Sequence, residues 1–354
     1  MKTILVTGAA GFIGSNFVEV ALAAGFKIVG YDALTYAGHL ENIEELRSNP
    51  AFSFVHANIL DTQKFESVLH EYSVGLVAHF AAESHVDKSI TGPGAFIETN
   101  VNGTFSILNA ARSYFETLEP AAKKEFRFLH VSTDEVFGTL GASGKFSETT
   151  PYAPNSPYSA SKAASDLLVR AWFHTYGLPT IITNCSNNYG PKQFPEKLIP
   201  HMIFCALQGK SLPVYGKGEN IRDWIHVKDH ARGVLLALTR GIPGETYCFG
   251  GNSERTNLEV VKALCVELDS VRPMKVGRFE SLIKFVADRP GHDFRYAIDD
   301  SKAQRELGFV RKYSRFEDGL RETVRWYLEH FEWSKKVTAK DGAKTTYDWS
   351  LLGG

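Results

Sequence analysis

The segment Thr3-Ile4-Leu5-Val6-Thr7 runs straight into Gly8-Ala9-Ala10-Gly11-Phe12-Ile13-Gly14, and no other feature of the chain constrains the fold as tightly. The first five residues read as a buried strand, and the spaced glycines end it in a tight turn that opens a helix. The rhythm then repeats: apolar runs at Lys27–Tyr31, Phe52–His56, Gly75–Phe80, Phe126–Val131 and Thr180–Cys185 are separated by lengths that suit crossover helices. Strands hydrophobic on both faces and alternating with helices predict an α/β protein with a Rossmann-type doubly wound parallel sheet. After residue 186 the pattern breaks at Pro191, Pro195, Pro200 and Pro213, which predicts a smaller, mostly C-terminal α/β substrate lobe. Val227–Thr239 reads as a helix returning to the first domain, so the expected division is discontinuous. Residues 1–187 and about 222–250 form the dinucleotide-type domain, and about 188–221 and 251–354 form the lobe. The polar run from Ser334 to Thr346 reads as a loose tail, with the aromatics Tyr347 and Trp349 placed to pin it.

A chain of 354 residues can bury a core of that size. Formal charge is −1, 22% of residues are charged, and no block of like charges occurs, which argues against a nucleic-acid partner or a polybasic membrane anchor. The N-terminal apolar run is too short for a signal peptide, and no stretch approaches the roughly 20 apolar residues of a membrane helix, so the cytoplasm is the expected compartment. Cys185, Cys205, Cys248 and Cys265 form no CxxC; neither a metal site nor a disulfide is expected, and all four read as small buried hydrophobes.

Three motifs carry chemistry. Glycines at 8, 11 and 14 let a backbone approach a pyrophosphate, which the helix N-terminus beyond them attracts through its unpaired N–H groups. Asp32 ends the second strand 24 residues after Gly8, where a carboxylate can hydrogen-bond ribose hydroxyls and repel a 2′-phosphate, so NAD is favoured over NADP. Tyr158 and Lys162 stand four residues apart on a helix begun by Pro157, hence on one face. A neighbouring ammonium and the positive nicotinamide ring both favour the phenolate, and the lysine can hold the nicotinamide ribose. Finally, the strand at Phe126–Val131 leads into Ser132-Thr133 and then two acids, Asp134-Glu135, where an alcohol dehydrogenase needs only a hydroxyl. Two adjacent carboxyls in a partly dry pocket favour a split in protonation, one donating and one accepting.

The glycine turn and YxxxK resemble the extended short-chain dehydrogenase/reductases. HFAAESHVDKSI, ETNVNGT, HVSTDEVFG, SPYSASKAASD, SNNYGP, FPEKLIP, RDWIHVKDH and DRPGHDFRYAID, in that order up to about residue 330, are similar to the dTDP-glucose 4,6-dehydratases within them. The resemblance implies a lyase that keeps NAD bound and converts dTDP-glucose to the 4-keto-6-deoxy sugar. It implies that Tyr158 takes the 4-hydroxyl proton with Thr133 bonded to the same oxygen, that Glu135 removes the C5 proton, and that Asp134 protonates the departing C6 hydroxyl. By local match, Phe12, Ile13, Asn58, Ile59, Ala81, Ala82, Thr99, Ser132, Cys185 and Asn187 fall at cofactor positions. Asn188, Lys197, Leu198, Pro213, Tyr215, Arg222, Asn257, Arg289 and His292, together with Thr133, fall at substrate positions. Arginines suit a diphosphate because a planar guanidinium grips its oxygens in pairs. His85 lies close to the same pocket and is read as structural.

Two positions depart from the family pattern. Phe137 stands where a tyrosine is usual, and Asn58 stands where an aspartate usually meets the adenine, so that contact keeps an acceptor without its charge. Rival readings are a nucleotide-sugar 4-epimerase, which has no need of the Asp134-Glu135 pair, a non-catalytic NAD sensor, and the same dehydration on UDP- or CDP-glucose. If the chain follows its relatives it is a homodimer through helices at about Gly103–Phe115 and Ala160–Tyr176, although Leu167, Leu168, Ala171 and Trp172 fit an internal face equally well.

Overall fold

The computed structural model describes residues 2–287, 293–339 and 347. Seven parallel strands form the central sheet: β1 (Thr3–Thr7), β2 (Lys27–Asp32), β3 (Phe52–His56), β4 (Leu76–His79), β5 (Arg127–Thr133), β6 (Thr180–Cys185) and a last strand, Thr246–Phe249. Their order, from the Thr246–Phe249 edge, is last strand, β6, β5, β4, β1, β2, β3. The order reverses at β1, which pairs with β2 on one side and β4 on the other. Open α/β sheets bind ligands at that reversal, beyond the carboxyl ends of the strands.

The strands are apolar on both faces because each face meets its own helical layer. Ile4, Val6, Leu76, Ala78, Leu129, Val131 and Ile181 enter one core, which the helix Phe12–Ala23 joins through Phe17, Val18 and Ala21. Leu5, Val77, Phe128 and Ile182 enter the other. Alternate side chains of a strand point to opposite faces, so one continuous hydrophobic run serves two cores.

Six of the seven strands are those read from sequence, with two extensions that matter to the site, β2 to Asp32 and β5 to Thr133; the edge strand Thr246–Phe249 was not read there. The lobe has its own core around Tyr189, Phe204, Trp224, Leu264 and Tyr327. It carries a three-stranded sheet of β7 (Asn187–Tyr189), β9 (Ile221–His226) and β11 (Glu254–Thr256), and a parallel pair of β8 (Leu212–Tyr215) with β12 (Ile283–Val286); the strand Thr246–Phe249 of the main sheet is β10. The packing draws the division differently in two places. β9, expected in the first domain, pairs with β7 and β11 of the lobe. The segment carrying Ala303, Leu307 and Phe309, expected in the lobe, packs into the first core. Part of the expected loose tail is ordered: Phe331–Ala339 is a helix that buries Trp333 and Val337. Tyr347 donates its hydroxyl hydrogen to the Pro195 carbonyl at 3.0 Å.

Candidate functional site

At the sheet reversal lies a cavity of about 350 Å³. Its floor is the glycine turn. Gly8 is left-handed (φ +68°), and a Cβ there would lie 2.8 Å from the backbone nitrogen of Ala81. A Cβ on Gly14 would lie 2.0 Å from the Gly8 carbonyl oxygen. Gly11 caps the helix Phe12–Ala23 without any side-chain bond. Its first N–H groups therefore lack side-chain acceptors.

Asp32 closes one end of the cavity. Its Oδ2 accepts from Ala10 N at 2.9 Å and its Oδ1 from Leu34 N at 2.8 Å. Burial raises its pKa although both N–H donors oppose the shift. Lone pairs remain on each oxygen for ribose hydroxyls. Phe12, Ile13, Asn58, Ile59, Ala81, Ala82, Thr99, Ser132, Cys185 and Asn187, all singled out from sequence, line the same cavity with Gly8, Gly11, Gly14 and Asp32. Asn58 Oδ1 accepts from Leu60 N at 3.0 Å, so its own turn uses part of the acceptor capacity expected for an adenine.

At the other end stand Thr133, Asp134, Glu135, Tyr158 and Lys162. Ser156 and Ser159 form a capping box, Pro157 takes the first helical position, and the helix Pro157–Tyr176 therefore starts where it sets Tyr158 and Lys162 one turn apart, both buried. Thr133 ends β5 and caps the short turn Asp134–Phe137, its Oγ1 accepting from Glu135 N at 3.3 Å. The two acids diverge there. Asp134 is 2% exposed, whereas Glu135 is only half-buried. Burial first, and the Glu135 charge second, push the Asp134 carboxyl well above the usual carboxylate range.

The phenol of Tyr158 is also raised well above its ordinary value, by burial and by Glu135, against a hydrogen bond from Thr133. The sequence expectation that Lys162 favours the phenolate finds no support in this geometry. The ammonium instead donates to Val131 O at 2.9 Å and meets His130 Nε2 at 3.2 Å. Burial lowers its pKa to about 8, with Asp166 pulling it upward.

The predicted substrate residues divide. Asn188 and Lys197 line the cavity with Thr133, Asp134, Glu135, Tyr158 and Lys162. Leu198 begins a helix of the lobe, Pro213 and Tyr215 lie on β8, Arg222 on β9, and Asn257 begins the helix Asn257–Val271; none of these five lines the cavity. Arg222 is 6% exposed, donates to Ile221 O at 2.7 Å and Asp293 O at 3.0 Å, and lies over the Tyr296 ring at 4.3 Å. Its charge also reaches Asp134, whose carboxyl it draws downward. Arg289 and His292 lie outside the described residues. His85, read as structural, caps the helix Val86–Thr91 and approaches Glu196 at 3.4 Å.

Sequence reasoning missed Tyr36 and Gln193 of the lining, which lie in loops outside any motif, and Glu83, Ser84, Phe194 and Glu196, which lie inside HFAAESHVDKSI and FPEKLIP but were given no role there. It also missed His130 and Asp166 behind Lys162, although both sit inside motifs already quoted. Among the described residues no helix is long and apolar enough to cross a membrane, and no cluster of metal-ligating side chains occurs. All four cysteines are free and buried.

The GDP-mannose 4,6 dehydratase family model matches residues 5–323. The dTDP-glucose 4,6-dehydratase of Xanthomonas campestris is 57% identical over 338 residues, 95% of this chain and 96% of that one. The crystal structure of a dTDP-glucose 4,6-dehydratase from Streptomyces venezuelae with NAD bound is 45% identical, with a TM-score of 0.85, and the match covers 95% of this chain and 99% of that one. A UDP-glucose 4-epimerase from Thermotoga maritima shares the fold at a TM-score of 0.81 and 26% identity, covering 93% of this chain and 99% of that one.

Proposed function

The chain belongs to the dTDP-glucose 4,6-dehydratase family, and from that premise we propose that it uses NAD to dehydrate dTDP-glucose to dTDP-4-keto-6-deoxyglucose. The cavity suits the cofactor: glycines stand where a Cβ has no room, an uncapped helix N-terminus would receive a pyrophosphate, and a carboxylate at the end of β2 would take the ribose hydroxyls. When bound, NAD supplies the oxidant for C4 and later the reductant for C6.

The protein's own groups move the protons. Tyr158, held beside Thr133, is assigned the proton of the 4-hydroxyl, its phenolate favoured by the positive nicotinamide ring that a bound NAD would bring, and a 4-ketone forms. The ketone acidifies the C5 hydrogen, which Glu135 removes. Asp134 gives its proton to the C6 hydroxyl, which leaves as water, and C5 is reprotonated at the end. The asymmetry of the acids supports this assignment: burial first and the charge of the more open Glu135 second push the Asp134 carboxyl well above the usual carboxylate range, which favours the proton-donating form there. An epimerase needs neither proton transfer at C5 nor a leaving group at C6. We assign NAD contacts to Gly8, Gly11, Phe12, Ile13, Gly14, Asp32, Asn58, Ile59, Ala81, Ala82, Thr99, Ser132, Tyr158, Lys162, Cys185 and Asn187, all of which line the cavity, and sugar-nucleotide contacts to Thr133, Asn188 and Lys197 in the cavity and to Leu198, Pro213, Tyr215, Arg222 and Asn257 on the lobe.

We infer a discontinuous lobe spanning about 188–226 and 251–298, with the last helices and Tyr347, and a homodimer in the cytoplasm. The exposed Ile97, Phe105, Leu167 and Tyr176 on and beside the helices Thr104–Thr117 and Pro157–Tyr176 favour a partner there, while Trp172 of the same stripe is spent inside the subunit. Four reduced, buried cysteines suit a reducing compartment. The test is mass spectrometry of the purified protein with dTDP-, UDP-, CDP- and GDP-glucose. Loss of one water from the dTDP sugar is expected. Conversion of glucose to galactose at constant mass would establish epimerisation instead.

A further inference from the structure

One buried amide ties the glycine turn to the last helix. Asn42 is 2% exposed; its Nδ2 donates to Ala10 O at 2.7 Å and its Oδ1 accepts from Trp333 Nε1 at 2.9 Å. An indole N–H only donates and a carbonyl only accepts, so these two partners fix which way the amide points. The Asn42 carbonyl is engaged as well, accepting from Lys192 Nζ at 2.6 Å. Ala10 in turn donates its N–H to Asp32 Oδ2 at 2.9 Å. Three hydrogen bonds in series therefore run from the helix Phe331–Ala339, through Asn42 and Ala10, to the carboxylate at the end of β2.

The lobe side of this series is closely packed. Trp333 is 9% exposed and packs edge-on against Trp326 and Tyr327, with ring centroids 4.9 and 6.2 Å away. Lys192 also pairs with Glu19, and Pro191 O accepts from Asn16 Nδ2 at 3.1 Å, so the first helix is held by the lobe too. Neither Asn42 nor Trp333 lines the cavity. Their bonds meet the turn from behind.

We propose that Trp333 and Asn42 are positioning residues for the dinucleotide: they hold Ala10, and with it the N–H cradle of residues 11–14 and the Asp32 carboxylate, in binding geometry, so that the C-terminal helix governs how long the cofactor stays. The proposal rests on reading the cavity as an NAD site. A turn held in place before binding loses less freedom on binding, which favours retention. Trp333→Phe removes only the indole N–H and leaves Asn42 Oδ1 buried without its donor. Asn42→Asp keeps the acceptor for Trp333 but sets a carboxylate against the Ala10 carbonyl.

The experiment measures NAD per chain after prolonged gel filtration, and the NAD Kd of stripped protein by calorimetry, for wild type and both variants. Each variant is expected to retain less NAD and to bind it about tenfold more weakly, the equivalent of one lost hydrogen bond. The KM for dTDP-glucose and the kcat of Trp333→Phe at saturating NAD should stay near wild type. Wild-type NAD affinity in both variants would overturn the proposal, as would a rise in sugar KM matching the rise in NAD Kd, which marks a general loosening of the lobe. If Trp333→Phe folds poorly, Asn42→Asp decides, since it leaves the indole packing intact. A wild-type protein that binds no NAD overturns the reading of the cavity itself.

Discussion

Lys162 Nζ lies 3.2 Å from His130 Nε2, and the same ring nitrogen lies 3.2 Å from Asp166 Oδ1. Burial holds His130 neutral, so the contact with Asp166 is not an ion pair, and the ring nitrogen can accept from Lys162 or donate to Asp166 but not both at once. Asp166 is itself anchored, with Ser132 Oγ donating at 2.7 Å and Tyr152 Oη at 3.0 Å. Lysine, imidazole and carboxylate therefore form one buried unit behind Thr133 and Tyr158 of the cavity.

Asp166→Asn tests that unit. Lys162 sits at about 8 because burial lowers it and Asp166 raises it. Removing the carboxylate's charge lowers the lysine further. The proposed role of Lys162 in holding the nicotinamide ribose needs its charged form, so activity is expected to fall as pH rises through its pKa, and the basic limb of the kcat/KM profile should move to lower pH. A basic limb identical to wild type would remove Asp166 from the account.

Glu135→Gln separates the steps. The amide keeps the volume and loses the base, so oxidation at C4 should continue while water loss falls by roughly 10²–10⁴. Rapid quenching with mass spectrometry distinguishes the 4-keto sugar from its dehydrated product. Undiminished dehydration would transfer the base role to another group.

Asp134 predicts an effect on stability of known sign. Its folded pKa is raised, so the native state keeps its proton to a higher pH than the unfolded chain does. Between those two pKa values stability falls as pH rises; the ionisation penalty is absent below the unfolded value of about 3.9 and fully present above the folded one. Asp134→Asn carries no such penalty. Its Tm should exceed that of wild type at pH 8, with the gap closing toward pH 4, while dehydration is lost. A gap independent of pH would show that Asp134 titrates normally.

How much of this was legible in the sequence follows from range. The parallel sheet was legible because continuous apolar runs such as Leu76–Ala78 and Phe128–Val131 need two buried faces. The cofactor half of the cavity was legible because Gly8–Gly14 and Asp32 lie within one strand-turn-helix-strand unit and follow a local spacing. Asp134 and Glu135 were legible as a pair, but their different burial, 2% exposure against half-burial, was not. Lys162 meets His130 of β5 across 32 residues, and Asn42 meets Trp333 across 291 residues; no local pattern records such contacts. The lobe boundary failed for the same reason, since β9 follows the pairing offered by β7 and β11 rather than its place beside the helix Val227–Arg240.

Gly14→Ala and Gly11→Ala complete the tests by separating two kinds of glycine. Neither position has a positive φ, so space alone decides. A Cβ at Gly14 would fall 2.0 Å from the Gly8 carbonyl oxygen and 2.8 Å from its carbon, backbone atoms of the very turn that a dinucleotide needs. The helix Phe12–Ala23 would have to back away from β1, and Phe17 and Val18 behind it fill a closed core. At Gly11 the nearest atom is the same oxygen at 3.2 Å, a contact that a few tenths of an ångström relieve. Gly14→Ala should therefore lose about 2 kcal/mol or more of stability, at the upper end of overpacking costs, and most of its NAD binding. Gly11→Ala should keep near-native stability. Thermal melts with and without NAD check both. Equal destabilisation by the two would mean that the turn yields as a whole and that the close approach of Gly14 to Gly8 is not what holds the first helix against the sheet.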